Sequence, residues 1–456
     1  LHKAIRRQRQ MCIRDRCRAL VQAGHGKLTE ERCALFLAGF QSVTVLQRRE
    51  LDIFPAALRC ALIGAIADVC RRLQQAADTS AQAEDFAALF GSLRLFSVLD
   101  LEKLLSAADV SGAILAQDPT GEYSRMDNGT KREYLSRLEK LARRQGLEEH
   151  LLARRLIKQA RQDGRHIGFY LFKKPRPLWS WLYISLNIIL PLFFALLIAY
   201  SLDSAGAALL LLLPIWQLIK SFIDFILLHL VHPRPLPRMD FSGGLPEDGK
   251  SICVISAILS GSEAQRLEEL RLACRSEGPN LLFGLLADLP AAKEAQTPDD
   301  ARLLRSARST VRQLNRKYGG GFYLFTRERS FDGEQYSGRE RKRGALVELA
   351  KLLCGSPSAL EVSGDSAALK GVKYIVTLDS DTRVYPGSVG ELAGAAMHPM
   401  NRPVIDHKRR LVSSGYGLLH PRMSTGLSSA NATDFALIFA CLLYTSPSPR
   451  DVEESR

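Results

Sequence analysis

Two apolar segments in the middle of the chain predict a membrane-spanning hairpin over residues 178–231. The first runs from Leu178 to Leu202 without one charged side chain, and about 20 apolar helical residues are enough to cross the hydrocarbon core of a bilayer. The second, from Ala205 to Val231, is interrupted by Lys220 and Asp224, which lie four residues apart and can pair on one helix face. We therefore expect two transmembrane helices joined by a short turn.

Basic residues flank this hairpin on both sides, whereas the turn between its helices contains only the charge of Asp203. Positively charged loops are typical of the cytoplasmic side of a membrane. The parts of the chain before and after the hairpin are therefore both expected in the cytoplasm. The flanking basic residues are Arg165, Lys173, Lys174, Arg176, Arg234 and Arg238.

Residues 19–164 have apolar positions at helical spacing and predict an all-α domain. Within it, Thr130 and Glu133 predict a capping box at the start of one helix, and Gly146 predicts the end of that helix. The apolar stretch 57–77 contains several charged side chains, which favours a buried helix over a membrane span. No group of residues in this region indicates catalysis, so we expect a docking or regulatory domain.

A Pro/Gly-rich linker over residues 232–250 precedes a change of pattern. From residue 251 to residue 440, short apolar strands alternate with amphipathic helices, which predicts βαβ units and a mostly parallel sheet. The sequence has neither G-x-G-x-x-G after the first strand nor G-x-x-x-x-G-K-[ST], and this disfavours a nicotinamide or flavin Rossmann enzyme and a P-loop NTPase. The expected strands are ICVISAIL, NLLFGLLAD, FYLFT and VKYIVTLDSD.

Charged residues fall where these strands end, and ligands of parallel sheets bind at the carboxyl ends of strands. Asp288 ends the second strand and Asp379 and Asp381 end the fourth, while Lys342 and Arg343 begin the helix that leads toward the fourth. Two carboxylates one residue apart can hold Mg²⁺ or Mn²⁺, whose remaining ligands are substrate phosphates and water. A nucleoside-diphosphate leaving group needs such a metal and a cationic partner to absorb its developing charge.

The D-x-D pair has other interpretations. An EF-hand loop is disfavoured because Arg383 and Val384 occupy positions that need a ligand and a glycine. A metal-dependent phosphatase or phosphotransferase with Asp379 as nucleophile is closer, although Arg383 replaces the residue expected after its motif. The two carboxylates can also simply cap a helix or solvate a strand end. In that case the chain would be a membrane-tethered, non-catalytic binding module.

The net charge changes this picture little. The 456 residues include 62 Lys and Arg against 48 Asp and Glu, a formal charge of +14, but seven of the basic residues fall within residues 1–18. With the basic flanks of the hairpin also counted, we expect no nucleic-acid partner. Nine cysteines without a C-x-x-C pair argue against a disulfide framework or a zinc ribbon. Residues 1–18 and 441–456 differ in composition from their neighbours, and we interpret both as non-native sequence.

The order of the parts narrows the function further. A membrane hairpin, a linker and an α/β domain with a D-x-D pair well after its first strand are typical of a membrane-anchored GT-A-type glycosyltransferase. Several sequence blocks, moreover, resemble the cyclic β-1,2-glucan synthases, most specifically ERKRG, LDSDT and HPMNRP. The other blocks of this resemblance are DPTGEYSRMDNGTKREYLSRLEKLARRQGL, GRHIGFYLF, FGLLADLPAA and GYGLLHPR.

This resemblance implies a bacterial inner-membrane enzyme that transfers glucose from UDP-glucose to a growing β-1,2-glucan, with inversion at the sugar carbon. It implies that Asp379 and Asp381 bind a metal and the diphosphate, that Asp288 binds the nucleotide, and that Lys342 and Arg343 lie near the diphosphate. The partners are then UDP-glucose, a glucan acceptor and the lipid bilayer, and the cofactor is Mg²⁺ or Mn²⁺. Residues 251–440 would form a truncated GT-A-like domain.

The chain departs from the family pattern in two places. His420 stands where the family has glutamine, and the pattern ends near Phe439. The general base that takes the proton of the acceptor hydroxyl normally lies farther along in this family, which leaves Glu391, Asp406 and Asp434 as weak candidates. We therefore predict a fragment that binds nucleotide sugar but does not turn it over.

Overall fold

The computed structural model of this chain describes residues 2–75, 80–99, 101–172, 177–201, 203–230 and 235–421, together with residues 433, 434 and 436. These residues form two compact units. The first combines residues of Leu1–Phe172 with residues of Pro237–Tyr416, and the second combines residues of Lys173–Leu236 with residues of Gly417–Arg456. The helical region before the hairpin and the α/β region after it therefore belong to one unit.

The helical region packs around two apolar clusters, the first formed by α1 to α5 and the second mainly by α6 to α9. α7 and α8 end at Gly146 and Gly164, whose left-handed φ angles are 68° and 60°, a conformation that glycine adopts at low cost. The helices are α1 (His2–Ala23), α2 (Glu30–Val43), α3 (Arg48–Gln75), α4 (Ser80–Val98), α5 (Leu101–Ala108), α6 (Val110–Leu115), α7 (Asn128–Gln145), α8 (Glu149–Asp163) and α9 (Gly168–Leu171).

Helix α3 contains the apolar stretch expected to form a buried helix. Its residues Leu51, Phe54, Leu58 and Leu62 recur every three or four positions, are fully or almost fully buried and pack in the first cluster. One face of a helix is defined by this spacing. One face of α3 is therefore buried, while Ile63 on another face is exposed. The preference for a buried helix over a membrane span stays a prediction, because the helix is also long and apolar enough to cross a membrane.

Helix α1 contributes to the same cluster, although most of it was interpreted as non-native sequence. Its residues Ile13, Cys17 and Val21 are buried against the first cluster. At least the second half of α1 therefore packs as an ordinary core helix. The origin of residues 1–18 stays a prediction, as does that of residues 441–456, which lie outside the described part of the chain.

The start of α7 differs from the sequence expectation. The helix begins at Asn128, and the carboxylate of Asp127 caps it by accepting the N–H of Thr130 at 2.8 Å. The hydroxyl of Thr130 instead accepts the N–H of Arg238 at 2.9 Å, so the capping box predicted for Thr130 and Glu133 is wrong. The earlier start is favoured because Asp127 also pairs with the Arg238 guanidinium, with 2.7 Å between Oδ2 and Nε.

The second unit contains the two helices of the hairpin, α10 (Pro177–Ser201) and α11 (Ala205–Leu230). Asp224 accepts a bond from the Lys220 ammonium at 2.7 Å, as predicted, and another from the Tyr183 hydroxyl of the facing helix at 2.9 Å. Both helices expose large apolar side chains along their length. Among the described residues, three helical segments are long and apolar enough to cross a membrane: Arg48–Gln74, Trp181–Ser201 and Leu209–Leu227.

The α/β region is built on a five-stranded sheet with the strand order β6-β3-β2-β1-β7. The pairs β1–β2, β1–β7 and β2–β3 are parallel and β3–β6 is antiparallel, so the prediction of a mostly parallel sheet is confirmed. The elements are β1 (Ser251–Ile258), α12 (Arg266–Ala273), β2 (Leu281–Asp288), α13 (Pro298–Tyr318), β3 (Phe322–Thr326), β4 (Ser330–Phe331), β5 (Tyr336–Ser337), α14 (Arg341–Leu353), β6 (Glu361–Ser363), β7 (Tyr374–Asp379), α15 (Ser388–Met397), β8 (Val404–Asp406) and β9 (Leu411–Ser414).

Helices cover both faces of this sheet, because successive side chains of a strand point to opposite faces. Cys253 and Ile255 of β1 pack on the face covered by α12, α13 and α15. Ile252 and Val254 pack on the opposite face, which α14 covers with Leu349 among others. Each strand can therefore be apolar throughout its length, as the parallel sheet requires.

A buried chain of hydrogen bonds joins the helical region to the α/β region. Asp118 Oδ2 lies 2.8 Å from Nδ1 of His166, and Nε2 of His166 lies 2.8 Å from the Tyr134 hydroxyl. That hydroxyl also lies 3.2 Å from Nε2 of His398, whose Nδ1 accepts the N–H of Met400 at 3.2 Å. If both imidazoles are neutral, His398 donates to Tyr134, Tyr134 to His166 and His166 to Asp118, and every donor is satisfied.

Candidate functional site

The strand order brings the ends of β2 and β7 to the same edge of the sheet, one on each side of β1. In the two registers, Asp288 lies opposite Ile258 of β1 and Asp379 lies opposite Ser256. Leu286 of β2 and Ile375 of β7 pack on the face that α14 covers. Because residues two or four positions apart share a face, Asp288 and Asp379 belong to the α14 face as well.

The acidic pair at the end of β7 is open to solvent. Asp379 and Asp381 are both exposed. The ammonium of Lys342, near the start of α14, forms an ion pair with the Asp379 carboxylate. The structure thus brings together Lys342 and Asp379, two of the five residues selected from the sequence. A cation already stands next to the carboxylate that was expected to bind a metal.

Asp379 and Asp381 supply two carboxylates, which are fewer ligands than a metal ion bound by protein side chains alone needs. Among the described residues, no group of three or more His, Cys, Asp or Glu side chains is arranged to hold a metal ion. Mg²⁺ and Mn²⁺ need less than that at a phosphate site, because one or two carboxylates suffice when water and substrate phosphates complete the coordination shell. Asp379 and Asp381 fit this limited requirement, with oxygen ligands of the preferred type.

Asp288 has a different environment. Its two carboxylate oxygens accept bonds from Nε and Nη2 of Arg327 at 2.7 and 2.8 Å. Arg327 follows β3 directly, and its side chain is only 5% exposed. Arg327 was not among the five residues selected from the sequence. The signal was present in the segment TRER, because an arginine next to a buried strand must find a carboxylate or carbonyl partner.

Arg327 also holds the loop that precedes α14. Nη1 donates to the carbonyl of Arg339 at 2.8 Å, and Nη2 donates to the carbonyl of Arg341 at 2.7 Å. Gly338 begins this loop and Gly344 lies in the first turn of α14, and a Cβ on Gly338 would lie 2.5 Å from Oδ2 of Asp288. The loop therefore packs so closely on the Arg327–Asp288 pair that these positions have no room for a side chain.

Arg343 pairs with a different carboxylate from Lys342. Its guanidinium pairs with Glu340 at 2.9 Å, and its side chain is 79% exposed. The structure does not bring it to Asp379 or Asp288. It lies in the first turn of α14, directly after Lys342 in the sequence.

A cleft of about 590 Å³ opens beside this loop. Phe331 and Asp332 of the β4–β5 hairpin line one side, and residues 338–341 line the other. Asp288 lies directly behind Gly338. The carboxyl edge of the sheet thus combines an open acidic pair, a lysine, a buried ion pair and a cleft.

The three candidate bases are not gathered at this edge. Glu391 pairs with Arg238 at 2.7 Å. Asp406 accepts the N–H groups of Lys408 and Arg409 at 3.0 and 3.1 Å in the turn between β8 and β9. Asp434 belongs to the second unit, as does the exposed His420. The described residues of the first unit therefore give no support to a base next to Asp379.

Comparisons with known proteins agree with the resemblance seen in the sequence blocks. No family model matches the chain. Over 371 residues the chain is 28% identical to the cyclic β-(1,2)-glucan synthase NdvB of Rhizobium meliloti (strain 1021). The similarity covers 70% of this chain and 13% of that protein. The resemblance to this synthase family is thus confirmed, and the chain matches a small part of a much longer relative.

Proposed function

We propose that this chain is the glucosyltransferase part of a membrane-bound glucan synthase and that its α/β region is a GT-A-type domain. The similarity to a cyclic β-(1,2)-glucan synthase over 70% of the chain is the observation that carries the proposal. The proposed donor is UDP-glucose, the acceptor is a growing β-1,2-glucan, and the reaction inverts the sugar carbon. The charged edge of the parallel sheet supports the proposal, because nucleotide ligands bind at this edge in α/β folds.

In this proposal Asp379 and Asp381 hold Mg²⁺ or Mn²⁺ against the diphosphate of the donor. The metal would neutralise charge that develops on the departing diphosphate. Lys342 and Arg343 would add positive charge on the same side, and Asp288 would belong to the nucleotide-binding edge. The ion pair of Lys342 with Asp379 supports this proposal, because a group that can bind phosphate lies next to one that can bind a metal ion.

We expect this chain to bind the donor without turning it over. An inverting transfer needs a base next to the acceptor hydroxyl. Glu391 and Asp406 are engaged with Arg238 and with a turn, respectively. Neither is therefore expected to serve as that base.

The proposed location is the bacterial inner membrane, with the hairpin spanning the bilayer and both flanks in the cytoplasm. The two exposed apolar helices and the basic flanks support this topology. We propose no nucleic-acid partner. An epitope inserted beside Asp203 should bind antibody in spheroplasts with an intact inner membrane, whereas one inserted beside Gly121 should bind only after permeabilisation. The reverse pattern would refute the orientation.

Calorimetry of UDP-glucose binding to the full chain in detergent micelles tests the metal site. Wild-type protein should bind more tightly with Mn²⁺ than without it, and Asp379→Asn/Asp381→Asn should weaken the Mn²⁺-supported binding by roughly a hundredfold, because two charge-assisted contacts are lost. Asp299→Asn, which changes another exposed carboxylate, on α13, is the control and should leave the affinity unchanged.

Equal affinity of the wild type and the double variant would remove the metal site from the proposal. A phosphoaspartate on Asp379, without preference for a uridine nucleotide, would instead favour the phosphatase or phosphotransferase alternative.

A further inference from the structure

We propose that Arg327 is a positioning residue for the donor site: its guanidinium fixes the loop 338–341 and thereby places Lys342 at Asp379. The inference rests on the proposed function, which it deepens by assigning a role to a residue outside the predicted set. It also gives Asp288 an indirect role, since this carboxylate would support nucleotide binding through Arg327.

The bonds of Arg327 account for its burial. Its guanidinium makes two bonds to the Asp288 carboxylate and one bond to each of two loop carbonyls, at Arg339 and Arg341, all between 2.7 and 2.8 Å. A buried guanidinium is costly unless it is paired and hydrogen-bonded. Both oxygens of Asp288 are used by this one arginine, so the pair acts as a single anchor at the end of β2.

The loop that this anchor holds has an unfavourable backbone. Glu340 and Arg341 are consecutive non-glycine residues with φ angles of 53° and 46°, in the left-handed region that side chains disfavour. The two carbonyls bound by Arg327 belong to Arg339 and Arg341, one on each side of Glu340. Such a backbone persists when surrounding contacts fix it, and the contacts of Arg327 are placed to do so.

Lys342 is the next residue after this strained pair. Its direction is set by the backbone of Arg341, where α14 begins, and its ammonium reaches the Asp379 carboxylate. Without the bonds of Arg327, the loop loses two of the contacts that hold its left-handed conformation. The backbone would then no longer direct Lys342 toward Asp379. The long, flexible side chain of Lys342 would have to be ordered on each binding event, at an entropic cost.

Arg329 provides a matched control two residues along the chain. It is as buried as Arg327, with a side chain 2% exposed, and pairs with both oxygens of Asp300 at 2.6 and 2.7 Å. Its partner lies on α13 instead of the loop before α14. Replacement of either buried arginine should therefore lower stability, whereas only replacement of Arg327 should disturb the position of Lys342.

The test is a double-mutant cycle with UDP and Mn²⁺ as the probe, on the full chain in detergent micelles. Arg327→Lys should weaken UDP binding roughly tenfold in the wild-type background, the loss expected when a charge-assisted contact is misplaced. In the Lys342→Ala background the same change should weaken binding less than about twofold, because the group that Arg327 positions is already absent. Arg329→Lys should leave UDP affinity unchanged.

Equal weakening by Arg327→Lys in both backgrounds, or equal weakening by Arg329→Lys, would overturn the inference. Hydrogen exchange separates its failure from that of the proposed function. The amides of Arg341 and Gly344, at the start of α14, donate to the carbonyls of Gly338 and Glu340, and they should exchange faster in Arg327→Lys than in Arg329→Lys or the wild type. If wild-type protein fails to bind UDP, the proposed function fails, and unchanged exchange of these two amides would overturn the role of Arg327 as well.

Discussion

The glycine at position 344 shows how much one missing side chain decides at the candidate site. A Cβ there would overlap the carbonyl oxygen of Arg339 and lie 2.9 Å from Nη1 of Arg327. Gly64, in the exposed middle of α3, has no atom within 4 Å of the corresponding position. The sequence alone does not tell these two glycines apart, and only the packing around each of them in the structure does.

Gly344→Ala should therefore destabilise the start of α14 by about 2 kcal/mol or more, because backbone and guanidinium must both move. Gly64→Ala should stabilise α3 by about 0.5–1 kcal/mol, as expected for alanine in an open helix position. Amide exchange in the two helices measures both effects. Equal changes in the two variants would mean that the close packing around Gly344 carries no energy.

At the level of single residues, the sequence indicated the charged ends of strands but not their partners. Asp288 and Asp379 were found because each follows an apolar run that reads as a strand. The partner of Arg327 could not be predicted, because nothing in the spacing of residues 288 and 327 indicates that they meet. Their contact depends on β2 and β3 lying side by side, which is a property of the sheet.

At the level of elements, the junction between the two helical clusters contains a carboxylate that is largely shielded from water. Glu149, at the start of α8, is buried and accepts the N–H of Arg48 at the start of α3 at 3.0 Å. Burial, with smaller effects of the nearby carboxylates of Glu139, Asp109 and Glu50, raises the pKa of Glu149 to about 7.

Because this folded-state pKa lies above the ordinary value, the folded protein binds more protons between pH 4.5 and 7. The contribution of Glu149 to stability should accordingly fall as pH rises through this window. Glu149→Gln keeps an acceptor for Arg48 without a charge, so it should stabilise the junction at pH 8 by up to a few kcal/mol and have little effect at pH 4.5. Amide exchange in α8 between these pH values checks this, and a pH-independent difference would contradict it.

At the level of the whole molecule, the hydrogen-bonded chain from Asp118 to His398 couples the helical region to the segment that follows the D-x-D pair. The Tyr134 hydroxyl and His398 Nε2 come from residues 264 positions apart in sequence. Burial, together with the nearby His166 and Arg402, lowers the pKa of His398 to about 3. A proton on Nδ1 would also face the N–H of Met400, which that nitrogen now accepts.

The contribution of His398 to the stability of the folded protein should therefore be complete above the ordinary histidine pKa of 6.5 and should decline as pH falls toward 3. At pH 5 the loss is expected to be about 2 kcal/mol. His398→Asn should be less stable at pH 7.5 but should remove this decline from amide exchange in α15. This pH dependence is opposite in sign to that of Glu149, so amide exchange must be measured separately in α8 and in α15. If His398→Asn shows the same pH dependence in α15 as the wild type, the decline does not come from His398.

The sequence alone determined the apolar hairpin, the helical region and the mostly parallel sheet, because each follows from a period of two or 3.6 residues or from an unbroken apolar run. These patterns are local and depend on few long-range contacts. The tertiary structure decided the antiparallel edge strand β6, the cap of α7, the partner of Asp288 and the meeting of Tyr134 with His398. Each of these depends on a contact between residues distant in sequence, which for the cap of α7 is the pair of Asp127 with Arg238. Such contacts depend on how several elements pack together, which no local period encodes.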